Sequence, residues 1–204
     1  MEIDGILSHA SQMILDPRML AVLVPVAIVV AGAGGVLAWW LRWRILPSVL
    51  SGAGLALALA VTLGAREPGS RGSAGQLSCL NDGFVSLGIV GSGSGQFLDT
   101  YLVLNLLLLV PFAFFGTVAT RRPIAVLAAS VAVTAGIEGF QSISGLGVCE
   151  TQDFANNAFG ALLAVVAGAL VNGILAGLRR ATGPRQAPAH AHAAHPTREL
   201  QHLS

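Results

Sequence analysis

The chain has 204 residues, of which 54% are hydrophobic and only 10% are charged. Soluble domains carry about 25% charged residues, so this composition, with a mean hydropathy of +0.73, excludes an ordinary soluble enzyme domain and indicates an integral membrane protein. The formal net charge of +1 gives no basis for a nucleic-acid partner.

Five apolar segments of about twenty residues are each long enough to cross a bilayer. They cover residues 19–41, 45–65, 100–120, 124–143 and 154–178. The sequence therefore predicts an all-α integral membrane bundle of five transmembrane helices. Residues 19–65 hold the first two helices and 99–178 hold a core of the last three. Pro25 and Pro111 lie deep within the first and third segments, where each predicts a kink.

The arginines predict how the chain crosses the membrane. Arginine pairs follow the first, third and fifth segments, and basic residues in short loops favour the cytoplasmic side. These arginines are Arg42, Arg44, Arg121, Arg122, Arg179 and Arg180. We therefore expect the N-terminus outside and the C-terminus in the cytoplasm. Residues 1–18 and 66–98 would be external, and 179–204 a disordered cytoplasmic tail.

The only two cysteines, Cys79 and Cys149, fall in predicted external loops, on the more oxidising face. A disulfide between them is the expectation, and two free thiols in a reducing setting are the alternative. The tail histidines lie in a flexible stretch, and no transmembrane segment has metal-ligand spacing, so we expect no metal and no cofactor.

Polar residues cluster near the predicted outer ends of the last three segments. Glu138 is the one charge within the five segments, and a charge at membrane depth marks a functional-site hypothesis. Gln141 lies three residues from Glu138, and Asn157 lies four residues from Asp153, so each pair shares a helix face. Asn105 lies near the start of the third segment. These five residues predict an outward-facing pocket lined by acidic and amide groups.

Two interpretations of this pocket remain open. Amides bond helices together in bilayers, at about 0.6 kcal/mol each, and this explains the three amides. It explains Glu138 poorly, because a neutral amide would join helices at lower cost. Glu138 and Asp153 together suit either ligand binding or acid–base chemistry.

The order and spacing of these residues resemble the VanZ-like family of small bacterial membrane proteins. Members share an Asn followed by an apolar run and a Pro, then Ser/Thr with Ile-Glu-x-x-Gln, then Asp-x-x-x-Asn-x-x-Gly. The matching residues here are Asn105, Pro111, Thr134, Ile137, Glu138, Gln141, Asp153, Asn157 and Gly160. Two positions depart from the pattern. A loop arginine common in the family is replaced by Gly147, and a frequent glycine by Ala113.

The family is named for a protein associated with low-level teicoplanin resistance. The resemblance implies a multi-pass protein of the bacterial cytoplasmic membrane that acts in the cell envelope, with no established enzyme activity. Its expected partners are membrane lipids and a lipid-linked or peptidoglycan-derived group or a glycopeptide. Two alternatives stand beside it. One is an intramembrane enzyme acting on a lipid or peptide bond with Glu138 and Asp153 as acid and base. The other is a structural or assembly subunit.

Overall fold

The computed structural model describes residues 17–64, 100–144 and 151–182. These residues form α1 (Pro17–Trp40), α2 (Ile45–Leu59) with a π-helical continuation (Ala60–Gly64), α3 (Thr100–Leu108), α4 (Val110–Thr120), α5 (Pro123–Ser144) and α6 (Thr151–Thr182). No strand occurs within these ranges.

The described chain contains five helical segments that are long and apolar enough to cross a membrane, because α3 and α4 together make one of them. The prediction of an all-α protein with five such segments is therefore confirmed. The orientation of the termini stays a prediction. Helix α6 continues through residues 179–182, where the sequence analysis begins the tail. Arg179 and Arg180 lie in its last turn, where the helix dipole favours positive charge.

The third segment is interrupted at Leu109, between α3 and α4. Pro111 lies in the first turn of α4, and its ring has no N–H to donate to the carbonyl of Leu107. Regular bonding resumes where Ala113 N–H donates to Leu109 O at 2.9 Å. The kink expected at Pro111 thus takes the form of a break in the helix.

Two tight turns fold the chain into helical hairpins, α1–α2 and α4–α5. Helix α1 ends in a Schellman motif, in which Trp43 N–H donates to Ala38 O at 2.8 Å and Arg42 N–H donates to Trp39 O at 3.3 Å. Arg42 has a φ of 56°, and Arg121, which ends α4, has a φ of 58°. Both turns therefore place an arginine in the left-handed region that glycine usually occupies.

The packing order is α1 on α2, α2 on α4, and α4 on α6, while α3 and α5 also pack against α6. The buried apolar core accordingly follows α4 and α6, with one residue each from α2 and α5. Its members are Ala58, Leu109, Ala113, Val126, Ala161, Ala164 and Val165. Helix α1 lies at the edge, since its most apolar window contains no buried residue.

Two glycines set the closest helix approaches. A Cβ on Gly54 of α2 would lie 2.7 Å from the backbone N of Phe112 in α4. A Cβ on Gly160 of α6 would overlap the carbonyl oxygen of Leu106 in α3. These helices pack backbone to backbone because both positions lack a side chain.

Candidate functional site

Helices α3 and α6 are joined by a polar contact at the end of the bundle opposite the arginine turns. The Nδ2 of Asn105 donates to Oδ1 of Asp153. Asp153 lies in the first turn of α6, where the helix dipole favours a carboxylate. Gly160 is two turns further along α6, and its missing side chain brings α3 close enough for this contact.

A second contact joins α5 and α6. Asn157 Nδ2 lies 3.3 Å from Thr134 Oγ1 and donates to it. Both side chains are enclosed, with exposed fractions of 2% for Asn157 and 0% for Thr134. The Oδ1 of Asn157 is buried and has no hydrogen-bond partner within the described residues. Leaving such an acceptor unsatisfied costs about 1–3 kcal/mol, so this oxygen is suited to accept a donor from a ligand or a water.

A third contact brings in the first hairpin. Gln141 Nε2 donates to the carbonyl oxygen of Thr62 at 3.4 Å, and Gln141 is 4% exposed. Thr62 lies in the π-helical continuation of α2, a local geometry that often occurs at functional sites. Thr62 lies outside the last three segments, to which the sequence pattern limited the predicted site. A threonine at the end of an apolar segment gives no signal that separates this role from packing.

Glu138 is buried on the same face of α5 as its polar neighbours. It is 7% exposed and lies sixteen residues beyond Arg122, about 24 Å along the helix axis. Ser130 and Thr134 precede it at four-residue intervals, so the face forms a polar stripe along α5. The Ser130 hydroxyl donates to the carbonyl of Val126 at 2.9 Å, within its own helix.

The five predicted site residues therefore lie at one end of the bundle, and with Thr62 and Thr134 we call them the polar layer. The structure links four of them into cross-helix pairs, α3 with α6, α5 with α6, and α5 with the π-helical segment. Sequence reasoning also missed Asn156, which is 4% exposed and accepts a hydrogen bond from Gln152 at 3.0 Å. The sequence could have indicated Asn156, because this polar residue directly precedes Asn157 at the start of an apolar segment.

A matching polar contact lies at the opposite end. Asn172 Nδ2 donates to Thr117 O at 2.8 Å, and its Oδ1 accepts from Arg44 Nη1 at 3.1 Å. Burial lowers the pKa of the Arg44 guanidinium, and the nearby charges of Arg121 and Arg179 add to the effect. Asn172 lies about 28 Å along α6 from Asp153, close to the roughly 30 Å of a bilayer's hydrocarbon core.

The polar layer does not coincide with a groove of about 430 Å³ between the two hairpins, which shares no residue with it. Within residues 17–64, 100–144 and 151–182, no three His, Cys, Asp or Glu side chains come together as metal ligands. Cys79, Cys149 and Gly147 lie outside the described residues, so the disulfide stays a prediction.

The sequence model of the VanZ/LLP1 family matches residues 69–172, just over half of the 204 residues. The chain belongs to the VanZ/LLP1 family. This confirms the resemblance drawn from the sequence motifs. The matched region includes the five predicted site residues, whereas α1 and α2 precede it. A search of the curated proteins and one of the solved structures gave no match to the chain.

Proposed function

We propose that this VanZ/LLP1 family member binds a ligand at the outer face of the bacterial cytoplasmic membrane and lowers sensitivity to glycopeptides such as teicoplanin. The observation that carries the proposal is the buried Oδ1 of Asn157 in the polar layer, which has no hydrogen-bond partner among the residues that the structure describes. Peptidoglycan-derived peptides and glycopeptides are rich in N–H and O–H donors, which satisfy such an acceptor.

The outward placement is supported by the arginines at the other end of the bundle. Arg122 directly precedes α5, Glu138 lies sixteen residues further along the chain, and positive charge favours the cytoplasmic side. With this orientation the polar layer lies a few ångströms below the outer boundary of the hydrocarbon. A ligand in the outer leaflet or just above it would then be on the same side of the bilayer as the buried Glu138 and Asn157, and would not need to cross the membrane.

Two other functions have an observation in their favour. The Asn105–Asp153 and Asn157–Thr134 bonds connect three helices, as a purely structural or assembly role requires. The burial of Glu138 supports an intramembrane enzyme in which Glu138 and Asp153 exchange a proton with a lipid or peptide substrate.

The deciding experiment replaces each carboxyl by its amide, in a susceptible host that expresses the full chain. We expect Glu138→Gln and Asp153→Asn to abolish a modest rise in teicoplanin tolerance while membrane abundance stays normal. The amides keep hydrogen-bonding capacity and remove only the ionisable group. Ser130→Ala is the matched control, because its hydroxyl lies on the same face of α5 but bonds only within that helix.

The outcomes separate the three functions. Loss of tolerance at normal abundance, together with loss of teicoplanin binding to the membranes, supports the ligand site. Lost tolerance with retained binding favours acid–base chemistry. Loss of abundance means that the two residues hold the fold, and unchanged tolerance in both variants contradicts a functional role for charge in the polar layer.

A further inference from the structure

The groove between the hairpins has the chemistry of a binding site for a hydrocarbon chain. Side chains from α1, α2, α4 and α5 line it, mostly Val, Leu, Phe and Ala. Its two serines already donate to backbone carbonyls, Ser51 to Phe112 and Ser48 to Arg44, each at 2.9 Å. Away from the arginine turns, the groove therefore offers almost nothing to a polar ligand and an apolar surface to a hydrocarbon chain.

The end of the groove nearest the arginine turns is chemically different. Trp43 and Arg122 line it there, and Trp prefers the depth of lipid headgroups. The backbone N–H of Arg122 donates to Thr120 Oγ1, and its guanidinium has no bonded partner within the described residues. From Arg122 to Ala129 the groove extends about 11 Å along α5, within the roughly 15 Å of one leaflet.

This end of the bundle also carries an uncompensated positive charge. Within the described ranges six of the seven arginines lie here, whereas Arg18 and the two carboxyl residues, Glu138 and Asp153, lie towards the other end. Arg42 and Arg121 even occupy left-handed turn positions that glycine adopts at lower cost. Backbone preference therefore does not explain why these two turn positions hold arginine.

We propose that the groove holds one acyl chain of an anionic phospholipid from the adjacent leaflet, with the lipid phosphate bound by Arg122. The apolar lining takes the chain, and the guanidinium pairs with the phosphate. A second copy of this chain is the less suitable occupant, because in the same orientation it brings its own arginines to the same end. This site is separate from the polar layer, so it does not depend on the proposed function.

Native mass spectrometry of the full chain in detergent tests the site, with phosphatidylglycerol and phosphatidylcholine of identical acyl chains as probes. We expect a preference for phosphatidylglycerol that Arg122→Gln reduces about fivefold. The matched control is Arg180→Gln, an exposed arginine that does not line the groove, which should change the preference less than about twofold.

A second pair of variants tests the acyl chain itself. Ala125 and Ala128 are both exposed on α5, but only Ala125 lines the groove. Ala125→Phe should fill it and weaken retention of both lipids, whereas Ala128→Phe should leave retention unchanged. Equal losses in Arg122→Gln and Arg180→Gln would overturn the specific phosphate contact in favour of diffuse surface charge. Native lipid retention in Ala125→Phe, or a change in its oligomeric state alone, would overturn the acyl-chain site.

Discussion

Gly160→Ala is the substitution for which the structure predicts the largest cost from a single methyl group. The new Cβ would overlap the carbonyl oxygen of Leu106 and lie 2.8 Å from its carbonyl carbon. Both obstacles are backbone atoms, which cannot rotate away as a flexible side chain does, so α3 and α6 must separate. Overpacking of this kind costs about 1–3 kcal/mol, and we expect the upper end because the obstacle is backbone.

Separation of α3 from α6 also weakens the Asn105–Asp153 hydrogen bond, which adds about 0.6 kcal/mol to the loss of stability. Gly173→Ala is the matched control, since it is the same change in the same helix with nothing within 4 Å of the new Cβ. There the alanine should stabilise by about 0.4–1 kcal/mol, because it restricts the unfolded chain. The two variants should therefore differ by about 4 kcal/mol.

The assay is thermal unfolding of the purified protein in detergent. Gly160→Ala should lower Tm by roughly 7–14 °C, whereas Gly173→Ala should hold it level or raise it slightly. Equal Tm values for the two variants would refute the inference that α3 and α6 pack backbone to backbone at Gly160.

Three further predictions concern the turns and the loops. A reporter fused after Arg122 should read cytoplasmic and one after Ser73 external, and an external signal after Arg122 would contradict the arginine-based topology. Cys79 and Cys149 should react with thiol reagents only after reduction, so labelling of the untreated protein would exclude the disulfide. Arg42→Gly should stabilise the protein by about 1 kcal/mol in thermal unfolding, because glycine adopts a φ of 56° without strain. A lower Tm in this variant would mean that the arginine side chain stabilises the turn.

Hydropathy alone predicted the class of fold and the number of membrane-spanning segments. To cross a bilayer, a helix must be about twenty residues long and apolar whichever helices it packs against. Its own sequence is therefore enough to predict it. The break near Pro111 was equally local, since proline has no N–H to donate to the preceding turn, although α1 continues unbroken through Pro25. The polar residues were also visible, because amides and carboxyls are rare at membrane depth and Glu138 is conspicuous among apolar neighbours.

The partners of those residues were decided only by the tertiary structure. Thr62 joins Gln141 because the end of α2 lies beside α5, and nothing in either segment states that adjacency. Hydropathy cannot predict which helices are neighbours, because lipid and the protein interior are equally apolar. Helix α1, with a mean hydropathy of 2.5, contains no buried residue in its most apolar window.

The sequence by itself thus determined which residues are costly to place in a membrane, and at which end of each helix they lie. The tertiary structure decided which helices meet, through contacts such as Gly160 against Leu106, where a side chain is absent rather than present. The tertiary structure also forms a groove beside Arg122, lined by residues from two hairpins that are far apart in the chain. Such features depend on the rotation and spacing of whole helices, and these follow from the sum of many weak packing contacts.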